Sequence, residues 1–294
     1  MNQFASTLVA GFAEAIPFFL VGSGLALTLG VMDILNFAHG VYFMIGAYVL
    51  HTVLGGGAVS LWAFLGVCLL AGVVTAGVGA VSERLVLRTT YGKDHLIAIL
   101  ATYGLFLLLQ GLVVLIWGSL PFSQERATGT AGTFLVFGVQ VARTDLLNTA
   151  VGLLVGVALY VLIRRTPFGV QLRAVAEDRE MAGALGVSTQ RVSVVAFCLG
   201  TFLAAVAGGL LAPQVSIDQT LGESWVLYAF VVVVVGGLGS IPGSFVAAVI
   251  LGLADSLAVN YLPDLQPYVL YVVVVVLLLA RPQGLMGSIR HVEA

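Results

Sequence analysis

Apolar and polar positions fall into long blocks along this chain. Apolar runs occupy approximately residues 5–31, 37–54, 61–82, 96–117, 144–163 and 192–212. A further stretch, 225–259, is interrupted by GGLGSIPG at 236–243, and a last run covers 267–280. A helix needs about 20 apolar residues to cross a bilayer. The pattern therefore predicts an all-α polytopic membrane protein with eight or nine transmembrane segments in a single domain spanning 1–294. The range arises because 37–54 and the two halves of 225–259 are short enough to be broken or re-entrant. The first run is too long for the apolar part of a signal peptide and has no basic leader, so it is expected to stay as a span.

Charge gives the blocks a direction. Arg84, Arg88 and Lys93 fall in 83–95, Arg281 and Arg290 in the tail, and five more basic residues in an island at 164–191. The span count puts all three segments on one face and leaves only Arg126 and Arg143 on the other. Basic residues favour the cytoplasmic side, so the C-terminus is expected there; the side of the N-terminus depends on whether 37–54 crosses. The longest loop on the opposite face, 118–143, is rich in turn formers and suits a short hairpin or a surface helix.

Composition agrees with the pattern. The 294 residues are 60% hydrophobic and 9% charged, with mean hydropathy +1.10, against about 25% charged in soluble domains. The net charge of −2 identifies no partner, and Lys93 is the only lysine, so no basic stripe suggests nucleic acid. Cys68 and Cys198 sit in apolar runs without metal-ligand spacing. Lys93 is followed by Asp94, which rules out a P-loop. The histidines are scattered and form no H-E-x-x-H, so no metal centre, cofactor or catalytic residue is expected. Gly22-Ser23-Gly24 lacks the G-x-S-x-G elbow of a serine hydrolase, and helix packing accounts for its small residues.

Candidate polar sites inside the spans are few. Glu14 and Asp255 are deep, though neither stands beside other ionisable groups in the sequence, while Asp33 is near a span end. A proton- or sodium-coupled secondary transporter would use such acids. The segment DILNFAHG, 33–40, sets polar residues and glycines between two apolar runs. Asn36 and His39, three apart, would share one face of a helix. They would either brace backbone groups freed by a helix break or line a path for a polar solute. Gly40 belongs to the same segment, and Gly237, Gly239 and Gly243 break the later valine run. Broken helices in both halves of a transporter point to its pathway, although close packing explains these glycines equally well.

The island is the most informative stretch. Thr166-Pro167-Phe168-Gly169 reads as a turn leaving the bilayer. Leu172–Leu185 has helical character, with Gly186 as its C-terminal stop. Ala176, Met181, Ala184 and Leu185 would form the apolar face of a short helix on the membrane surface. A plain connector would need only a few residues.

Four segments together, NFAHGVYFMIGAYV, LRAVAEDREMAGALGVSTQRV, GGLGSIPGSF and RPQGLMG, resemble the LivH-type permease of branched-chain amino acid ABC importers from about residue 10 to 287. The resemblance implies a multi-pass subunit of the bacterial inner membrane, surrounded by lipid, that carries branched-chain or related amino acids. Its implied partners are a second, LivM-like permease, two cytoplasmic ATPase subunits and an external solute-binding protein. The island then corresponds to a coupling loop that docks on an ATPase, with Ala176, Glu177, Asp178, Met181, Ala182, Gly183, Leu185 and Gly186 as its contact residues. One departure bears on substrate: many relatives carry an acid directly after the His-Gly, where this chain has Val41. Amides, urea and small carboxylates are alternative solutes.

Overall fold

The computed structural model describes residues 2–130, 132–136 and 139–287. Among these, nine helices run back and forth through an apolar layer: α1 (Asn2–Met32), α2 (His39–Leu54), α3 (Leu61–Leu85), α4 (His95–Trp117), α5 (Arg143–Arg165), α8 (Thr189–Leu211), α9 (Leu221–Gly236), α10 (Ile241–Tyr261) and α11 (Gln266–Ala280). Two short helices, α6 (Pro167–Glu177) and α7 (Arg179–Ala184), cap one end. Six of the nine are long and apolar enough to cross a membrane, while α2, α9 and α11 are shorter. Sixteen residues of helix reach only about 24 Å, less than the hydrocarbon layer. Both α2 and α9 can be short because much of each is buried in protein rather than in lipid.

The core is built around α1. In its most apolar window 94% of residues are buried, against 17% for α5. It packs on α10, α8, α9 and α5. With no hydrophobic drive between helices in lipid, association depends on close van der Waals contact, which small residues allow. Gly24 of α1 and Gly200 of α8 meet backbone to backbone: a Cβ on Gly24 would lie 2.6 Å from the Gly200 carbonyl oxygen. On the periphery the order reverses. Leu69, Leu70 and Val73 of α3, Leu107 and Leu108 of α4, and Val275 and Val276 of α11 are exposed. A surface this apolar suits lipid or another membrane subunit, and the chain is a multi-pass membrane protein.

Helix direction fixes which ends share a face. Ser256 near the end of α10 donates to the Thr7 carbonyl near the start of α1 (2.9 Å), and Gly239 before α10 packs on Gly30 near the end of α1. The two helices are therefore antiparallel. Alternation through nine helices puts Asn2 and segment 281–287 on opposite faces, because 37–54 does return through the layer. The basic segments gather at one end, hereafter the basic face. Arg88 donates to Gln190 (3.3 Å), and Leu285 and Met286 donate their amides to the Val235 and Gly236 carbonyls. Arg290 lies outside the described residues.

On the other face, 118–143 contains the hairpin alternative. Strand β1 (Thr133–Val136) pairs antiparallel with β2 (Val139–Ala142), and the Arg143 guanidinium lies 4.3 Å over the Phe134 ring. Glu125 ties the loop to the α2–α3 turn by accepting from Ala58 N–H (3.1 Å).

Three local expectations are corrected. The island holds two helices, not one helix over Leu172–Leu185. The segment at 166–169 is a helix start rather than a turn: the Thr166 hydroxyl caps the Gly169 amide (3.1 Å), with Pro167 in the first turn, where its missing N–H costs nothing. Asn36 and His39 do not share a helix face either, since α1 stops at Met32, Asp33 turns left-handed (φ 52°), and Asn36 lies in the break before α2.

Candidate functional site

The first candidate site is the corner between α6 and α7 on the basic face. Asp178 leaves the helical region (φ −147°, ψ 105°), and its carboxylate caps the Met181 amide (2.8 Å). An aspartate is a poor helix interior residue and a strong N-cap, so one side chain both ends α6 and starts α7. Gly186 takes φ +85°. Its amide reaches the Gly183 carbonyl and that of Val187 reaches the Ala182 carbonyl, both 3.0 Å, the paired bonds of a Schellman stop. The corner is thus fixed at both ends by capping chemistry.

Leu172, Val175 and Ala182 anchor it inward, and Arg173 donates to the Ile163 carbonyl. Glu177, Asp178, Met181, Gly183, Leu185 and Gly186 face out, Met181 at 58% and Leu185 at 78% exposure. Ala176 is half-buried and borders a cavity behind α6. Of the eight candidate contact residues, six therefore form one outward surface, and Ala182 is a buried support. Two exposed apolar side chains ringed by acids, at the polar end of a membrane protein, suit a protein partner better than lipid.

The second candidate region lies along α1. An outer cavity of about 390 Å³ is bordered by Glu14, Asp145, Asn148, Gln214, Trp225, Tyr228 and Asp255 among others. An inner cavity of about 640 Å³, nearer the basic face, is mostly apolar and is bordered by Gly30, Gly156, Gly239 and Phe245, with Arg164 and Arg173 at its end. Helices α1, α5 and α10 contribute to both. At the outer end of the inner cavity Ile16 fits against Gly152, and Phe19 meets Phe245 edge-on at 5.3 Å.

Here too the sequence reading needs correction. Glu14 and Asp255 do have ionisable neighbours, because the antiparallel packing of α1 on α10 brings them to one cavity with Asp145, and Glu14 feels both other charges. Gln266 donates to Asp255 (2.9 Å). Among the described residues no group of three or more His, Cys, Asp or Glu could hold a metal ion. Carboxylates, amides and aromatic rings lining one cavity suit an organic ammonium group.

Of the six candidate pathway residues, Gly239 borders a cavity. Asn36 and His39 are buried at 2% and 0% exposure. The Asn36 carboxamide accepts from Ala38 N–H (3.1 Å), and His39 Nε2 lies 3.1 Å from the Val21 carbonyl. Thr102 of α4 completes the repair of the break by accepting from Phe37 N–H and donating to the Leu35 carbonyl. These bonds are of the kind a bracing role needs, while Asn36 Nδ2 and His39 Nδ1 are buried without a hydrogen-bond partner among the described residues. Gly40 packs on the Gly222 carbonyl, Gly243 on Gly236, and Gly237 (φ +104°) on Gly287. Val41 is fully buried beside Gly222, away from both cavities. Losing a buried hydrogen bond costs roughly 1–3 kcal/mol. Asn36→Ala is therefore expected to lower subunit level and uptake in parallel, checked by quantitative immunoblot beside transport. Normal levels with lost uptake would instead mark Asn36 as a substrate contact.

The sequence matches the family described as branched-chain amino acid transport system, permease component, over residues 7–280. It is 31% identical to the high-affinity branched-chain amino acid permease protein LivH of Escherichia coli, covering 97% of this chain and 96% of that one. The BraD permease protein of Pseudomonas aeruginosa is 30% identical over the same shares. The LivM permease protein of Salmonella typhimurium is 28% identical over 93% of this chain and 68% of its own length. This chain belongs to the branched-chain amino acid transport permease family.

Proposed function

We propose that this chain is a membrane-spanning permease subunit of a binding-protein-dependent ABC importer, one permease domain that carries branched-chain or related amino acids across a bacterial inner membrane. The observation that carries the reading is family membership over almost the whole chain. The chain has no P-loop of its own, so ATP is hydrolysed on two cytoplasmic ATPase subunits. A second, LivM-like permease pairs with it, and an external solute-binding protein delivers substrate and supplies most of the affinity. The basic face, with the C-terminal segment, is cytoplasmic.

The outward surface at Glu177–Gly186 docks on an ATPase and moves with it. Cavities along α1 form this subunit's wall of the substrate path. Substrate passes the two in turn: the acids of the outer cavity receive its ammonium group first, and the apolar inner cavity then takes it past Ile16, Phe19 and Phe245. Alternating access is then a rigid-body rocking of this wall. A hydrogen bond to a charged group contributes about 1.5–3 kcal/mol, so Asp255→Asn is expected to slow uptake about tenfold or more at unchanged subunit level.

A second reading, an ion-coupled transporter, is favoured by the meeting of Glu14, Asp145 and Asp255 in one cavity. Proteoliposomes holding the complete complex and binding protein separate the two. The importer takes up leucine with ATP inside and no ion gradient. Uptake driven by a proton gradient in the absence of ATP would overturn it.

A further inference from the structure

The docking corner is not isolated from the bundle, because one arginine links it to three other elements. Arg179 opens α7, directly after the Asp178 cap. Its guanidinium stands 4.8 Å over the ring of Tyr91, in the connection between α3 and α4, and reaches toward the Val31 carbonyl at the end of α1 (3.5 Å). The Tyr91 hydroxyl in turn donates to Glu83 Oε1 at 2.7 Å. Glu83 sits in the last turn of α3 with no exposed surface, and its other carboxylate oxygen has no hydrogen-bond partner.

A buried carboxylate with a single donor is costly to leave and costly to break. Tyr91 is therefore held to α3 more firmly than a surface tyrosine would be. Burial, reinforced by the Glu83 bond and charge, pushes the Tyr91 phenol above its ordinary value, so the hydroxyl keeps its proton and remains a donor. The ring presents its face to Arg179, a contact that strengthens away from water. Arg179 and Tyr91 are bound by direction-dependent contacts, unlike the apolar contacts that can slide. Such a linkage passes displacement instead of absorbing it.

We infer that Arg179, Tyr91 and Glu83 form a strut that carries movement of the docking corner into α1 and α3, making Arg179 and Tyr91 positioning residues for transport. The inference rests on the docking role of Glu177–Gly186. None of the three touches either cavity along α1, so their effect falls on the timing of the path and not on substrate contact. In mechanical terms the strut joins the corner to α1, the helix that borders both cavities.

The test measures ATP hydrolysed per leucine carried, in proteoliposomes containing the full complex with its binding protein. Tyr91→Phe keeps the ring under Arg179 and removes the donor to Glu83. Arg179→Gln keeps a polar side chain at a half-exposed position, where folding is not at stake. Both are expected to raise the ratio by at least about fivefold, the lower end of ordinary coupling effects, while ATPase subunits co-purify in normal amount. Arg179→Lys, which retains the charge over the ring, is expected to recover part of the coupling. Wild-type ratios in both Tyr91→Phe and Arg179→Gln would overturn the strut. Gly183→Arg, measured alongside, separates the two claims. If it transports normally, the docking role itself fails; if it uncouples while both strut variants do not, the strut alone fails.

Discussion

A Gly183→Arg subunit is expected to accumulate at wild-type levels and to carry less than about a tenth of the wild-type substrate, because an interface penalty above roughly 1.4 kcal/mol is already tenfold. The fold itself has room for the change. A Cβ at Gly183 would meet only Thr189 Cγ2, at 3.8 Å, and the residue faces out beside Met181 and Leu185. What the change spoils is the outer surface. Small residues there let a partner approach the backbone of α7, and an arginine both blocks the approach and adds a cation among Glu177, Asp178 and Glu180. Uptake in vesicles beside an immunoblot of the membrane fraction measures the effect. ATP hydrolysis by the complex is expected to continue, uncoupled from substrate.

Gly208→Leu is expected to have the opposite signature, with almost no subunit in the membrane. Gly208 of α8 lies against the Phe43 carbonyl of α2, and Gly46 of α2 against the Ala205 carbonyl of α8. Two backbones in contact cannot rotate a side chain aside. Forcing extra carbons into a well-packed interior costs typically 1–3 kcal/mol and sometimes more, and here the helices themselves must separate. Net stability is only about 5–15 kcal/mol, so the loss of one such crossing removes a large part of it. Gly104→Leu is the control: nothing lies within 4 Å of a Cβ there, and its level is expected to match wild type. Size-exclusion profiles in detergent distinguish the two.

These two glycines show what sequence reading reaches. Hydropathy located every span within a few residues, because bilayer thickness constrains length independently of packing. Gly186 was legible as a stop, and 236–243 as a break, since a positive φ leaves a local mark in the residue type. The corner at Asp178 was not legible. Leu172–Leu185 has adequate helix propensity throughout, and only the competition of one carboxylate for the Met181 amide divides it. The gathering of Glu14, Asp145 and Asp255 was invisible for another reason. It depends on the register of α1 against α10, elements far apart in the chain, and no local pattern encodes that register. In the sequence Arg179 is one of five basic residues of the island, and nothing local marks it, because its ring partner Tyr91 is 88 positions away. The sequence leaves Asn36 either a brace or a path-lining residue, and only the tertiary structure shows that it lies in the break, with its carboxamide oxygen on the Ala38 amide.

The central claim is that ATP-driven movement enters through the outward surface of α7, and the most direct measurement places a photo-crosslinker at single positions in the complete importer. At Met181, 58% exposed on the basic face, the account predicts a covalent adduct with an ATPase subunit. At Leu120, 76% exposed on the opposite face, it predicts none. An importer that yields no ATPase adduct from Met181, or yields as much from Leu120, would contradict it.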